Sequence, residues 1–238
     1  LVHPVQIVAH HATLRRVIRA STEIVEEAYQ TRPEEEHVRA LLDESEQKIF
    51  QIARAGVREQ ADPIRTVLDE TFKRIDAQSH RTGLTGLDTG FFELNELTCG
   101  LNAGDLIILA ARPSMGKTAM ALNIIEAAAL TRPEWLGRSP VILLFSLEMG
   151  RQQIASRMLC SRARVEAHRL RSGRLPNEDY GALSEAAGDL HKTSIFIDDS
   201  PALSALAVRG RARRLKAQAG LALIVIDYLQ LMSHPRAE

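Results

Sequence analysis

The sequence predicts an α/β fold in which a mostly parallel sheet is covered by helices and is preceded by an α-helical hairpin and a linker helix. Apolar residues recur at helical spacing in the first third of the chain. From residue 82 onward, short apolar runs alternate with helical segments, as buried parallel strands do. The tripeptide Gly116-Lys117-Thr118 lies between an apolar run and a helix-forming run. This is the setting of a phosphate-binding loop.

Residues 1–57 are predicted to form two amphipathic helices, with a break at residues 31–33. Pro33 suits the first turn of the second helix, where a missing amide hydrogen is tolerated. One face of each helix should be buried. In the first helix this face consists of Leu14, Val17, Ile18, Ile24, Val25 and Ala28. In the second helix it consists of Val38, Leu41, Leu42, Ile49 and Ile52. Because a hairpin cannot bury both faces alone, we expect preceding chain or a partner subunit to cover them.

A third helix is predicted after Pro63, within a linker that spans residues 58–81. Its apolar stripe consists of Ile64, Val67, Leu68, Phe72 and Ile75. Polar, irregular segments flank this helix on both sides. Such a helix either packs on its own domain or docks on a neighbour, and flanks of this kind favour docking.

The rest of the chain is predicted to contribute four strands to one parallel sheet, at 106–111, 141–145, 194–198 and 221–226. Helices are predicted near 150–163, 166–172, 177–191 and 201–218. Ser200 should cap the last of these helices and Gly220 should close it. Ligands of such sheets bind beyond the carboxyl ends of the strands. This places Gly116–Thr118, Glu148, Asp198 and Asp227 at the same edge.

Four residues at that edge have the chemistry for phosphoryl transfer, which needs phosphate positioning, a metal ion and a group that orients water. The loop amides and the helix N-terminus favour an anion. Lys117 can reach the outer phosphates, and the Thr118 hydroxyl can hold Mg²⁺. Asp227 can hold the same ion through water, and Glu148 can orient or deprotonate the attacking water. We interpret Asp198 and Asp199 as capping or turn residues, and two single histidines as exposed or structural, namely His191 and His234.

Composition limits the function classes. Lys plus Arg and Asp plus Glu each total 30, so any nucleic-acid contact must be local. Cys99 and Cys160 form no metal-binding pattern, which indicates free thiols in a reducing compartment. No apolar run is long enough to span a membrane and no signal peptide opens the chain, so we expect a cytoplasmic protein. Because the chain begins with Leu1 and stops just after an apolar strand, we expect a piece of a longer protein.

Six segments together resemble a DnaB-family replicative DNA helicase. They comprise residues 82–91, 97–101, 104–106, 110–118, 145–149 and 226–232. The family's phosphate loop has Ala where the general pattern has Gly, and Ala111 stands at that position. In the front half, residues 14–18 and 41–50 resemble the end of the family's helical N-terminal domain. Residues 62–77 resemble its linker helix.

The resemblance implies a RecA-like P-loop NTPase that uses ATP and Mg²⁺ to move along single-stranded DNA and unwind duplexes during DNA replication. The linker helix, residues 62–77, would join the subunits of a homo-hexamer by docking on a neighbour. A primase and a helicase loader are implied as partners in a primosome. The implied domains are the end of the N-terminal domain at 1–57, the linker at 58–81, and the ATPase domain at 82–238, truncated after the Walker B strand.

The resemblance also implies a role for each site residue. Nucleotide would be bound by Arg112, Pro113, Ser114, Met115, Gly116, Lys117, Thr118 and Gln230. Lys117 and Glu148 are the implied catalytic residues, with Glu148 as the base. Thr118 and Asp227 are implied on the metal side. Gln230 would sense the γ-phosphate, a role that rests on the resemblance alone.

Three features complicate the resemblance. Asn95 stands where the family usually has Asp, and Gly210 interrupts the last predicted helix at a cost of about 1 kcal/mol relative to Ala. The family's DNA-contacting loops and arginine finger lie beyond Glu238.

The basic run at 209–216 favours a solvated helix face over a DNA-binding patch, because single-strand binding needs a basic groove with stacking aromatics.

Two alternatives remain open from the sequence. A RecA-like ATPase of recombination or regulation would share the loop and the sheet but lack the helical hairpin and the linker helix. A nucleotide-gated ring scaffold would be a non-enzymatic protein. An arginine and basic loops about one strand further on would favour the helicase.

Overall fold

A computed structural model describes residues 2–56, 63–79, 83–173, 175–201 and 203–233. Two compact units divide the chain, Leu1–Arg74 and Ile75–Glu238. The helices are α1 Val2–Gln30, α2 Glu35–Gly56, α3 Ile64–Ser79, α4 Phe92–Thr98, α5 Lys117–Leu130, α6 Arg151–Ala163, α7 Ala167–Ser172, α8 Asn177–His191 and α9 Ala205–Ala219. The strands are β1 Val141–Ser146, β2 Ser194–Asp198 and β3 Leu223–Asp227. No described helix is long and apolar enough to cross a membrane.

In the first unit, α1 and α2 pack against each other as the predicted hairpin. Ala20 is buried between them, and Lys48 of α2 forms an ion pair with Glu27 of α1. The faces that we expected to be buried are largely exposed, with Leu14 at 57% and Ile18 at 65%. This exposure agrees with a hairpin that cannot bury both faces alone, because two helices cover each other along one line only. That preceding chain or a partner subunit covers these faces stays a prediction.

Two prolines precede helices of the first unit. α2 begins at Glu35, and the amide of Val38 donates to the carbonyl of Glu34 at 3.0 Å, so Pro33 lies just outside the first turn rather than in it. The amide of Val67 donates to the carbonyl of Pro63 at 3.3 Å, so Pro63 begins α3 as predicted. All five residues of the α3 apolar stripe are exposed, which keeps them available to a partner.

The second unit contains a parallel sheet with the strand order β2-β1-β3. Three predicted strands are confirmed, with the last one shifted to 223–227. Phe145 lies opposite Asp198 on one side, and Ser146 lies opposite Asp227 on the other. The carboxyl ends of all three strands therefore meet at one edge, as predicted.

Helices cover both faces of this sheet. On one face, Ile142 and Leu144 of β1 pack in a core with α5 and α6, including Ile125 and Ile154, both fully buried. On the other face, Leu143 and Phe145 pack with residues of α9, among them Val208 and Ala212. The middle strand β1 is buried throughout because it has a neighbour on each side and helices on each face. This is the α/β architecture that the alternation of apolar runs predicted.

The predicted strand at 106–111 does not form. These residues adopt no strand pairing among the described residues, and Leu106 is 87% exposed. The expectation was wrong because an apolar run becomes a strand only where a neighbouring strand accepts and donates its ladder hydrogen bonds. Here β3 pairs with β1 alone among the described strands. The segment nevertheless leads directly through the loop at 112–116 into α5.

The start of α9 differs from the prediction, although its end does not. Ser204 rather than Ser200 is the cap, and its hydroxyl accepts from the amide three residues further on at 3.1 Å. The Ser200 hydroxyl instead accepts from the Arg211 guanidinium at 2.8 Å. Gly220 ends the helix with φ 71, as predicted. The helix passes through Gly210, which is buried, without a break.

A turn-rich segment connects the linker to the loop. Gly86 comes so close to the opposing chain that a Cβ there would lie 2.6 Å from the Leu101 backbone, so only glycine fits. Asn95 bridges two residues of this segment. Its amide donates to Asp88 Oδ1 at 2.7 Å, and its oxygen accepts from the Thr89 hydroxyl at 2.7 Å. Because Thr89 is fully buried, the neutral amide of Asn95 satisfies groups that water does not reach.

Both cysteines are free thiols, as predicted. Cys99 is exposed, at the end of α4. Cys160 is buried in α6, and burial raises the pKa of its thiol. A structural role suits Cys160, because a raised pKa keeps the thiol protonated and unreactive at neutral pH.

Candidate functional site

Two residues of the loop before α5 adopt the left-handed backbone conformation. Ser114 and Gly116 have positive φ angles of 65 and 85, and the amide of Met115 donates to the carbonyl of Arg112 at 3.3 Å. Gly116 precedes α5 with no side-chain cap, and a Cβ there would meet nothing within 4 Å. Among the described residues, no side chain caps the first amides of α5, which makes this helix start suitable for an anion.

Lys117 and Thr118, the first two residues of α5, both contact Asp227 at the end of β3. The Thr118 hydroxyl donates to Asp227 Oδ2 at 2.7 Å. Lys117 Nζ lies 3.2 Å from Asp227 Oδ1. Asp227 is only 5% exposed, so both contacts act on a carboxylate that is largely shielded from water. The structure thus brings together three residues that the sequence placed at one edge, across 109 positions of the chain.

Tyr228 adds an aromatic face to this cluster. Lys117 Nζ lies 4.2 Å from the centroid of its ring, well within the range of a cation–π contact. Tyr228 directly follows β3 and is partly buried. Its carbonyl accepts from the amide of Leu231 at 3.2 Å, in the short 3₁₀ helix Leu229–Leu231. The backbone on both sides of Tyr228 is therefore part of regular structure.

Glu148 lies in a turn that is fixed to the same strand end. The amide of Leu147 donates to the carbonyl of Asp227 at 2.8 Å. The hydroxyl of Ser146 donates to the carbonyl of Met149 at 2.7 Å, and both of these residues are buried. The Glu148 side chain itself is exposed and forms no hydrogen bond or ion pair with the described residues. The turn thus holds an exposed Glu148 carboxylate at the carboxyl edge of the sheet.

Asp198 and Asp199 have the structural roles that we predicted. Asp199 accepts from the amide of Arg151, the first residue of α6, at 3.0 Å, and this bond holds the pKa of Asp199 below its usual value. Asp198 accepts from the Ser200 amide at 3.1 Å and pairs with Arg211. Burial raises the pKa of Asp198, but these hydrogen bonds outweigh it and the net shift is downward. Both carboxylates are therefore engaged within the protein.

The remaining predicted site residues lie on the surface. Gln230 is exposed in the 3₁₀ helix after Tyr228. The loop residues 112–116 are exposed as well. His191 is exposed in the last turn of α8, and His234 lies outside the described residues. Four residues on the basic run of α9 are exposed, namely Arg209, Arg213, Arg214 and Lys216. Because a solvated face and a DNA-binding patch are both exposed, the choice between them stays a prediction.

The cluster fits a phosphate chain with a metal ion. An uncapped helix start and an open glycine provide room for an anion, and Lys117 provides positive charge. Thr118 and Asp227 provide oxygen atoms, the ligands that Mg²⁺ prefers. In the described part of the chain, no group of three or more His, Cys, Asp or Glu could hold a metal ion. A metal at this site would therefore take few ligands from the protein, which is how Mg²⁺ binds beside phosphates.

Comparison with known proteins agrees with this geometry. Residues 86–238 match the family model described as the DnaB-like helicase C-terminal domain. The chain belongs to this family. It is 42% identical over 228 residues to the replicative DNA helicase DnaC of Bacillus subtilis (strain 168), which covers 95% of the chain and 48% of that protein. The chain spans about half the length of the curated relatives it matches.

Two solved structures share the fold of this DnaB-like chain. One is a DnaB-like replicative helicase, described together with its interactions with primase. It is 27% identical with a TM-score of 0.72, over 98% of this chain and 51% of that one. The other is described as an ATPase domain, and it is 30% identical with a TM-score of 0.66, over 75% of this chain and 61% of that one. The predicted RecA-like α/β fold is therefore confirmed, and the sequence match extends through the helical front half.

Sequence reasoning missed two contributors to this DnaB-like site, Tyr228 and Ser146. Tyr228 carried a usable signal, because it directly follows the acidic residue at a strand end, where side chains surround the ligand. Ser146 ends β1 and anchors the turn of Glu148 from a buried position. A serine that follows an apolar run is too common to have indicated that role.

Proposed function

We propose that this chain is part of an ATP-dependent replicative DNA helicase, which couples ATP hydrolysis to translocation on single-stranded DNA and to duplex unwinding. The convergence of Lys117 and Thr118 on Asp227, in a chain of the DnaB-like family, carries the proposal. The curated relatives match over both the hairpin and the sheet, which supports a helicase rather than a recombination ATPase.

In the proposed site, the loop at 112–116 and the first amides of α5 hold the phosphates of ATP. Lys117 moves its ammonium from Asp227 toward the outer phosphates, where it offsets their negative charge. Thr118 and Asp227 hold Mg²⁺, which when bound neutralises phosphate charge during transfer. The Thr118 hydroxyl and Asp227 Oδ2 already lie within 3 Å of each other, so little rearrangement is needed to bring both oxygens to one metal ion.

Glu148 is the proposed general base, which accepts a proton from the attacking water. Its turn is anchored on both sides, by Ser146 and by the bond between Leu147 and Asp227, while its carboxylate remains free. A base needs such freedom, because a carboxylate that is engaged in an ion pair accepts a proton less readily. Gln230, exposed beyond Tyr228, is the proposed sensor of the γ-phosphate.

We further propose that the domains divide at 1–57, 58–81 and 82–238, and that α3 docks on an adjacent subunit of a hexamer. The exposed stripe of α3 supports docking, since Ile64 is 71% and Phe72 65% exposed. Single-stranded DNA, a primase and a helicase loader are the proposed partners, in the cytoplasm. A solved DnaB-like relative was described with its interactions with primase.

The deciding experiment replaces Lys117 by Ala in the full-length protein and measures ATP hydrolysis with single-stranded DNA present. Loss of the positive charge at the phosphates should reduce the rate by about a hundredfold or more. Lys216→Ala, which removes an exposed lysine of α9, is the matched control and should hydrolyse ATP at the wild-type rate. Unchanged hydrolysis in Lys117→Ala would refute the site.

A further inference from the structure

The ammonium of Lys117 has two neighbours that differ in charge. Asp227 Oδ1 lies 3.2 Å from Nζ, and the centroid of the Tyr228 ring lies 4.2 Å away. Asp227 also accepts from Thr118 at 2.7 Å, so its carboxylate is shared between two side chains. The ring of Tyr228, by contrast, carries no formal charge.

These two contacts differ in their consequence for a phosphate ligand. A carboxylate neutralises the lysine and competes with an incoming phosphate for it. An aromatic face attracts an ammonium through the quadrupole of its ring and leaves the positive charge in place. Lysine has a long, flexible side chain that loses much rotamer freedom when its end is fixed. A contact that restricts Nζ without neutralising it therefore lowers the entropy cost of binding a phosphate.

Tyr228 is well placed for this purpose because its backbone is held on both sides. The carbonyl of Asp227, before it, accepts from the amide of Leu147 at 2.8 Å. Its own carbonyl accepts from the amide of Leu231 at 3.2 Å. The ring is thus attached to the sheet edge rather than to a loose loop, and its face defines where the Lys117 ammonium can lie.

We propose that Tyr228 is a positioning residue, whose ring face holds the Lys117 ammonium at the phosphate site so that nucleotide meets an oriented lysine. The proposal rests on the proposed function, since it assigns Tyr228 to the same nucleotide site. Because the ring acts on ground-state binding, its loss should raise KM by more than it lowers kcat.

The test measures binding of a fluorescent ATP analogue with Mg²⁺ to the full-length protein, together with kcat and KM for ATP. Tyr228→Leu keeps an apolar side chain but removes the ring face, and it should weaken binding by about threefold to thirtyfold. Tyr228→Phe keeps the face and should bind within about twofold of wild type. Trifluorophenylalanine at position 228 has nearly the shape of Phe with a depleted face, and it should bind more weakly than Tyr228→Phe.

A double-mutant cycle with Lys117→Ala separates positioning from a structural role. If the ring acts through Lys117, then Tyr228→Leu should cause no further loss of affinity in the Lys117→Ala background. The fluorinated variant keeps the test valid if Tyr228→Leu misfolds, because it changes the electron density of the ring face while nearly preserving the packing. Equal affinities of Tyr228→Phe and the fluorinated variant would overturn the proposal. So would additive effects in the cycle, or wild-type affinity in Tyr228→Leu.

Failure of the two proposals is distinguishable. If Lys117→Ala binds the analogue as wild type does, the nucleotide site itself is wrong. If Lys117→Ala weakens binding and the Tyr228 variants change nothing, the site stands and only the role of Tyr228 is refuted.

Discussion

Replacing Thr118 by Val removes one hydroxyl while keeping nearly the same volume. That hydroxyl donates to Asp227 Oδ2 at 2.7 Å, and Asp227 is 5% exposed. Loss of a hydrogen bond to a charged group costs about 1.5–3 kcal/mol. In a folded unit of about 150–250 residues, each kcal/mol lowers Tm by about 2–4 °C. We therefore expect Thr118→Val to unfold about 3–12 °C below wild type without nucleotide.

Circular dichroism during heating measures this difference, and Thr118→Ser is the matched control. Serine keeps the hydroxyl and loses only a methyl group, so it should unfold close to wild type. A second measurement tests the proposed metal role. Titration with a fluorescent ATP analogue, with and without Mg²⁺, should show that Mg²⁺ strengthens binding to wild type and Thr118→Ser. It should strengthen binding to Thr118→Val much less, because an oxygen ligand is missing.

Two results would refute this reasoning. If Thr118→Val unfolds at the wild-type temperature, the bond to Asp227 contributes nothing to stability, and Lys117 alone satisfies the carboxylate. If the Tm of Thr118→Ser is lowered as much as that of Thr118→Val, then loss of the methyl group, and not of the hydroxyl, causes the destabilisation.

Three further predictions follow from contacts described above. Changing Phe72 and Ile75 together to Ser should lower the oligomer mass in light scattering of the full-length protein, and an unchanged mass would contradict docking by α3. Asn95→Asp should cost about 2 kcal/mol at pH 8 in chemical denaturation, because it loses its bond to Asp88 and adds repulsion. The repulsion raises the pKa of one of the two carboxyl groups, so the loss of unfolding free energy should become smaller as the pH falls. A loss that does not depend on pH would exclude repulsion as its cause. Asp199→Ala should lower Tm at pH 7, and since the pKa of Asp199 is depressed in the folded state, the difference from wild type should disappear as the pH falls through that pKa.

The secondary structure was largely predictable wherever local pattern decides it. The near-continuous apolar residues of β1 predicted a buried strand, and the structure has one within a residue of that position. The run at 106–111 has the same character and forms no strand. The difference lies in the availability of a pairing partner, which is a property of distant chain that no local pattern contains.

The site was predictable as a location but not as a set of contacts. The prediction placed Thr118 and Asp227 at one edge because strands of a parallel sheet end together. The two residues do meet there, although the strand predicted before the loop does not form. That Lys117 also meets the ring of Tyr228 depends on rotamers that spacing does not determine. The bridge formed by Asn95 is of the same kind, because it depends on two side chains meeting across a turn.

Among the described helices, α5, α6 and α9 begin at the carboxyl edge of this sheet, and each start carries partial positive charge. The start of α6 is neutralised by the carboxylate of Asp199, and the start of α9 is satisfied by the hydroxyl of Ser204. Of these three, only α5 has first amides that are capped by none of the side chains that the structure describes. An anion that reaches this edge therefore finds one attractive helix start and two that are already occupied. The capping residues, remote from any proposed chemistry, thereby confine where a negatively charged ligand can bind.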